Sequence, residues 1–138
     1  YFLRAESFYN VATKEMEYSG VFSERYHDQS HGQSFFSVLM KQTNKNGLYL
    51  LDEPEAALSC QNQLALLYLI QSCVKQNCQF IIATHSPILL GFPGAQILSF
   101  DEGKVEEVDY KSTSSYQTMK LFLDRYDYFV KDIKENDN

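Results

Sequence analysis

No run of eighteen apolar residues occurs in this 138-residue chain, which excludes a conventional membrane-spanning helix. Its start, Tyr1 with Arg4 and Glu6 close behind, has none of the features of a signal peptide, so a soluble, cytoplasmic protein is expected. Cysteine is sparse. Cys60 and Cys73 fall in one predicted helix, about 20 Å apart by helical rise, too far to bridge each other. A disulfide framework is excluded, and buried, reduced thiols are expected. Positive charge is also short, with 12 Lys and Arg against 18 Asp and Glu and a formal net charge of -6. That balance disfavours a general electrostatic grip on nucleic acid, although a patch such as Lys41 to Lys45 could still attract phosphate. There is no internal repeat, no low-complexity segment and no glycine-serine nucleophile elbow, so an acyl hydrolase lacks support. No methionine stands at position 1, and the chain is read as a piece of a longer one.

What is present fits one globular domain with a real core: 44% hydrophobic and 22% charged residues exclude disorder. Residues 1–6 read as a short strand and 8–16 as a helix, followed by a polar, glycine-containing loop over 18–32. Phe35, Phe36, Val38, Leu39 and Met40 have helical spacing, and residues 44–47 end that helix. Leu48, Tyr49, Leu50 and Leu51 form a continuous apolar run, the pattern of a parallel strand covered on both faces, and it ends on Asp52 and Glu53. Residues 54–59 read as a turn whose Ser59 caps a helix over 60–75, with Leu64, Leu67, Tyr68 and Val74 among its apolar positions and Asn77 breaking it. Residues 79–84 supply a second buried strand, so strand, helix and strand make a right-handed crossover. Residues 95–100 and 104–110 flank Asp101-Glu102-Gly103 as an antiparallel hairpin, and 112–132 read as one or two closing helices. The fold class is α/β, with a parallel sheet flanked by helices.

The chemistry gathers at strand ends. Ligands of open α/β sheets bind outside the carboxyl ends of the strands, and there stand Asp52 and Glu53 after one predicted strand and His85 after the next. Asp52 suits Mg²⁺, which takes hard oxygen ligands, one or two carboxylates and substrate phosphates. Glu53 faces another way and could polarise an attacking water, help worth roughly 10² to 10⁴ in rate. His85 can donate to a phosphate oxygen and sense its loss. Ser30-His31-Gly32-Gln33 presents a hydroxyl and a small backbone turn before a predicted helix, where unpaired amides attract anions. Against these stand plainer readings: Asp52 and Glu53 as turn caps, His85 as a cap or solvent-facing side chain. His27 and His31 share a four-residue spacing, but they sit in a loop and no third ligand accompanies them.

Together Gln29-Ser30-His31-Gly32-Gln33, Leu48-Tyr49-Leu50-Leu51-Asp52-Glu53-Pro54 and Ala83-Thr84-His85-Ser86 resemble the signature motif, Walker B motif and switch histidine of ABC-type ATPases, in the same order. With Arg4-Ala5-Glu6-Ser7, Glu55-Ala56-Ala57-Leu58-Ser59 and Pro87-Ile88-Leu89, the chain looks like a bacterial family of small, single-domain AAA-type proteins with an ABC ATPase fold. The resemblance implies the carboxyl-terminal part of a P-loop NTPase domain, with a signature-bearing helical part over 1–46 and the Walker B strand through the closing helices over 47–138. It implies ATP and Mg²⁺ as cofactors, Asp52 organising magnesium through water, Glu53 as catalytic base and His85 as γ-phosphate sensor. Ser30, Gly32 and Gln33 would meet the γ-phosphate held by a partner subunit, Glu6 would stand for the metal-linked glutamine, and residues 55–59 would be the D-loop of a homodimer interface.

The sequence departs from that pattern in three places. His31 replaces the first glycine of the transporter signature, and Cys60 stands where relatives often have proline. The third departure is the missing Gly-x-x-x-x-Gly-Lys-Ser/Thr loop that cradles the β and γ phosphates, which in the family lies upstream of Tyr1. The chain alone is therefore expected to bind ATP poorly and to be inactive. Two alternatives stay open: a non-catalytic interaction module or degenerate half-domain, and a metal-dependent phosphoesterase or nuclease using Asp52, Glu53 and Glu55. Relatives of this fold serve DNA repair, phage defence and toxin–antitoxin systems, and fold analogy does not choose a DNA or protein partner among them.

Overall fold

A computed structural model of the chain describes residues 2–4 and 46–135. Glu6, His27, Ser30, His31, Gly32 and Gln33, and the helices expected around 8–16 and 35–40, lie outside the described residues. Those described fall into two compact units, Tyr1–Leu89 and Leu90–Asn138.

The first unit is built on three parallel strands in the order β1 (Phe2–Arg4), β2 (Leu48–Asp52) and β3 (Gln79–Ala83). Leu50 pairs with Phe2 on one side and Ile81 on the other, and Asp52 with Arg4 and Ala83, so the strands run in register to their carboxyl ends. Asn46, at a left-handed φ of 61°, turns the chain into β2. At Gly47 a Cβ would lie 2.5 Å from the Tyr49 hydroxyl oxygen and 2.6 Å from its ring, so glycine is what lets the buried tyrosine fold back over the strand start.

Between β2 and β3 runs helix α1 (Cys60–Val74), capped by Ser59, whose Oγ accepts from the Asn62 N–H at 3.3 Å. Its end is closed by Asn77 at φ 62° and by the Cys78 N–H donating to the Cys73 carbonyl at 3.1 Å, a six-to-one bond of Schellman type. The face turned inward carries Gln63, Leu66, Ile70 and Cys73. Of the apolar positions read from the sequence of α1, Leu64, Tyr68 and Val74 are exposed. The helix is apolar on more than one side, so periodicity alone offered two faces, and the one that also carries Gln63 packs inward. Leu66 is completely buried, a burial that stabilises by roughly 1.5–3 kcal/mol. Tyr49, Cys73 and Cys78 form a core cluster with Leu69 and Phe80, the Tyr49 and Phe80 rings stacking at 5.0 Å. All three cysteines are free, as expected, but Cys60 is exposed where burial was expected, because it opens the first turn of α1.

The sheet also departs from expectation. Tyr49 and Leu51 are 2% exposed, whereas Leu48 is 47% and Ile81 56% exposed. Among the described residues, the face of β2 and β3 that carries Tyr49, Leu51 and Phe80 is covered and the opposite face is open, so those residues bury the two strands on one side where burial on both was expected. Helix α2 (Pro87–Leu90) follows β3.

In the second unit the expected hairpin is present but short: β4 (Leu98–Ser99) pairs antiparallel with β5 (Glu106–Glu107), extended by the Val108 N–H to the Ile97 carbonyl at 3.0 Å. A single 3-10 turn, Asp101–Gly103, with Gly103 at φ 72°, connects them. Two helices close the chain, α3 (Ser114–Asp124) and α4 (Tyr126–Glu135). Thr113 caps α3, and the Lys120 ammonium on it lies above its ordinary pKa because it donates to Asp124 at 2.6 Å, with the charge attraction second. No helix among the described residues is long and apolar enough to cross a membrane.

Candidate functional site

Strand register decides which groups meet. Asp52 and Ala83 are Cα partners at the carboxyl ends of β2 and β3, so the residues that follow them leave the sheet side by side. On the β2 side the chain turns at once. Glu53 sits at φ 46°, ψ 52°, in the left-handed region that a glutamate enters at a cost, and Pro54–Ala57 form a single 3-10 turn. Two backbone bonds hold Glu53 there: its N–H donates to the Ala83 carbonyl at 2.9 Å, and its carbonyl accepts from the Ala56 N–H at 3.0 Å. Pro54 beneath it is buried.

The result brings Glu53 and His85 together. Glu53 Oε1 lies 3.8 Å from His85 Nε2, and both side chains are open to solvent, 58% and 86% exposed. At that distance the pair is an electrostatic contact in water rather than a tight ion pair, and each group remains available to something approaching from outside. Asp52, at the end of β2, is half-buried. Thus two of the sequence-predicted site residues adjoin, and the third is on the same strand end. Of the other site residues, Glu6, Ser30, Gly32 and Gln33 lie outside the described residues.

A second set of contacts, which sequence reasoning missed, ties the two strand ends together. Glu55 Oε1 accepts the His85 backbone N–H at 2.7 Å, across thirty residues of sequence. Its other oxygen, Oε2, is buried and meets no donor among the described residues. Gln63, 8% exposed on α1, donates from Nε2 to the Leu58 carbonyl at 3.1 Å and accepts the Ser86 hydroxyl on Oε1. Ser86 Oγ in turn accepts from the Ile88 and Leu89 N–H groups at 3.1 and 3.2 Å and so caps α2, while the Ser86 N–H donates to Thr84 Oγ1 at 3.0 Å. A signal for Gln63 was present in the sequence: a polar residue three before Leu66 and seven before Ile70, in the stripe of an otherwise apolar helix face. Nothing local marks Glu55 as the acceptor of a distant amide.

Among the described residues, no three His, Cys, Asp or Glu side chains gather to hold a metal ion. That does not favour a site in which Asp52, Glu53 and Glu55 share metals; Glu55 is turned to the His85 amide instead. It is compatible with Mg²⁺, which takes only one or two carboxylates and fills its octahedron with water and phosphate oxygens, and half-buried Asp52 at the strand end is the group that fits. For ATP the fit is partial. The carboxylates and the imidazole stand at one strand-end mouth, while the lysine-bearing glycine loop that would grip the phosphates is not in this sequence.

Comparison with known proteins adds an independent observation. Residues 29–90, which contain Ser30 to Gln33, Asp52, Glu53 and His85, match the family model of the AAA ATPase domain. A curated protein of Haemophilus influenzae, described as an uncharacterized ABC transporter ATP-binding protein, is 30% identical over 93 residues, which is 67% of this chain and 35% of that protein. The chain therefore spans about a third of the length of the relative it matches. The kinship to AAA/ABC-type ATPases read from the motifs is borne out by both matches, the family model covering residues 29–90 of this chain.

Proposed function

We propose that this chain supplies the hydrolytic and switching half of a soluble, cytoplasmic ATPase of ABC type, with β2 as the Walker B strand. The observation that carries the reading is the meeting of Glu53 and His85, 3.8 Å apart, at the carboxyl ends of two strands in register. In this role Asp52 holds magnesium through its water shell, and the ion supplies charge neutralisation for the phosphates when bound. Glu53 orients the attacking water and takes its proton, and its exposure leaves room for that water. His85 donates from its ring to a γ-phosphate oxygen and loses that partner once the phosphate leaves, which makes it the element that reports hydrolysis.

Ser30, Gly32 and Gln33 meet the nucleotide of a partner copy, and residues 55–59 line the interface of the homodimer, whose opening and closing follow the cycle. Glu6 would take the part of the metal-linked glutamine. These assignments rest on the resemblance.

The test is magnesium-dependent ATP hydrolysis by the full-length gene product. Glu53→Gln should lower kcat by roughly 10² to 10⁴ while ATP binding persists. Undiminished turnover in that variant would remove Glu53 from the mechanism. If the full-length protein binds no ATP with magnesium present, the interaction-module reading takes its place, since the missing phosphate loop is the feature that favours it.

A further inference from the structure

His85 is 86% exposed, and among the described residues its ring meets only the Glu53 carboxylate, at 3.8 Å. So exposed an imidazole is not held by packing. Its direction is set by its own backbone, and that backbone has left β3 at Ala83 and does not enter α2 until Pro87. Ser86 is anchored below by the buried hydroxyl-to-amide bond with Gln63. Above it, the contact that reaches the His85 peptide from another element is the Glu55 carboxylate, whose Oε1 accepts the His85 N–H at 2.7 Å. Glu55 lies in the 3-10 turn that begins immediately after Glu53, so one side chain joins the turn that carries the proposed base to the peptide that carries the proposed sensor.

Glu55 Oε1 takes the His85 N–H, and Oε2 is buried and meets no donor among the described residues. The bond that Glu55 makes to another element is the one from Oε1 to the His85 amide, thirty residues away. What matters is then the reach of an acceptor oxygen on a two-methylene stem. Building on the ATPase reading given above, we infer that Glu55 is a positioning residue: it fixes the His85 peptide, and through it the imidazole, relative to Glu53, and it acts by reach rather than by charge.

The experiment separates reach from charge. Glu55→Gln keeps an oxygen acceptor on a stem of the same length, Glu55→Asp keeps the charge but is one methylene short, and Glu55→Ala removes both. In the full-length protein labelled with ¹⁵N at histidine, the His85 amide is assigned by its loss in His85→Gln. Its hydrogen exchange should stay near the wild-type rate in Glu55→Gln and quicken by about tenfold or more in Glu55→Asp and Glu55→Ala, as a local opening would make it. ATP turnover should follow the same order. Glu55→Asp and Glu55→Ala should lose about ten- to a hundredfold in kcat with KM for ATP little changed, since misplacement of a reacting group by about an ångström has that effect. Glu55→Gln should restore most of the turnover. Unaltered His85 exchange in Glu55→Ala overturns the inference. So does activity that survives in Glu55→Asp and vanishes in Glu55→Gln, the pattern of a required charge. If the wild-type protein turns over no ATP while the exchange rates still follow reach, the ATPase reading falls and the positioning of His85 by Glu55 stands.

Discussion

Glu53 shows how a single residue can carry function at the expense of stability. Its φ of 46° is a conformation that glycine enters freely and other residues enter at a cost of roughly 1–2 kcal/mol, and the proline that follows narrows its choices further. The position of Glu53 was legible in the sequence, because four apolar residues ending on an acid mark the mouth of a parallel sheet. Its backbone conformation was not, since glutamate is not a residue that favours the left-handed region. It is imposed by the hydrogen bonds from Glu53 to Ala83 and from Ala56 to Glu53, one of which spans strands. Glu53→Gly is expected to stabilise the fold by about 0.5–1 kcal/mol, the relief of strain less the entropy that glycine loses on folding. The same variant should abolish hydrolysis. Urea unfolding read beside turnover checks both, and a glycine variant less stable than wild type would show that the turn is not strained.

At the scale of elements, the strand-helix-strand order was legible, and so was the cap at Ser59, since each depends on local pattern. The inward face of α1 was not. Leu64, Leu67 and Tyr68 have helical spacing as good as that of Leu66, Ile70 and Cys73, and only the tertiary partner selects between them. The structure makes the choice measurable. Leu66→Ala should cost about 2–5 kcal/mol because Leu66 is wholly buried, while Leu64→Ala, at a site 50% exposed, should cost well under about 1 kcal/mol. Equal losses would mean that α1 is turned differently against the sheet. The start of β2 offers a second check. A methyl group at Gly47 would press within 2.7 Å of three Tyr49 ring and hydroxyl atoms, and Tyr49 is held by its stacking on Phe80. Gly47→Ala should therefore cost about 1–3 kcal/mol by overpacking, visible as a lower unfolding midpoint. If the midpoint is unchanged, Tyr49 has room to swing aside.

For the chain as a whole, the continuous apolar runs of β2 and β3 specify strands covered on both faces, and the described residues cover one. The mismatch is physical rather than a misreading of the pattern: Leu48 and Ile81 are encoded for a buried face and stand 47% and 56% exposed, with β3 at an edge of the sheet formed by the described residues. An open apolar face beside an unpaired strand edge attracts other chains. The 138-residue chain is therefore expected to self-associate as its concentration rises, and sedimentation velocity would show this as a growing average mass. Ile81→Lys places a charge in the middle of the open face and should return the chain to a monomer without loosening Tyr49 and Leu51 on the opposite face. The second unit has its own exposed apolar groups, among them Leu123 on α3 and Ile133 on α4, 65% and 62% exposed. If Leu123→Lys disperses the chain and Ile81→Lys does not, association runs through the closing helices and the sheet face is not its cause. A chain that stays monomeric at every concentration would show that the open face is too small or too polar at its margins, with Gln79 in the row, to draw a partner.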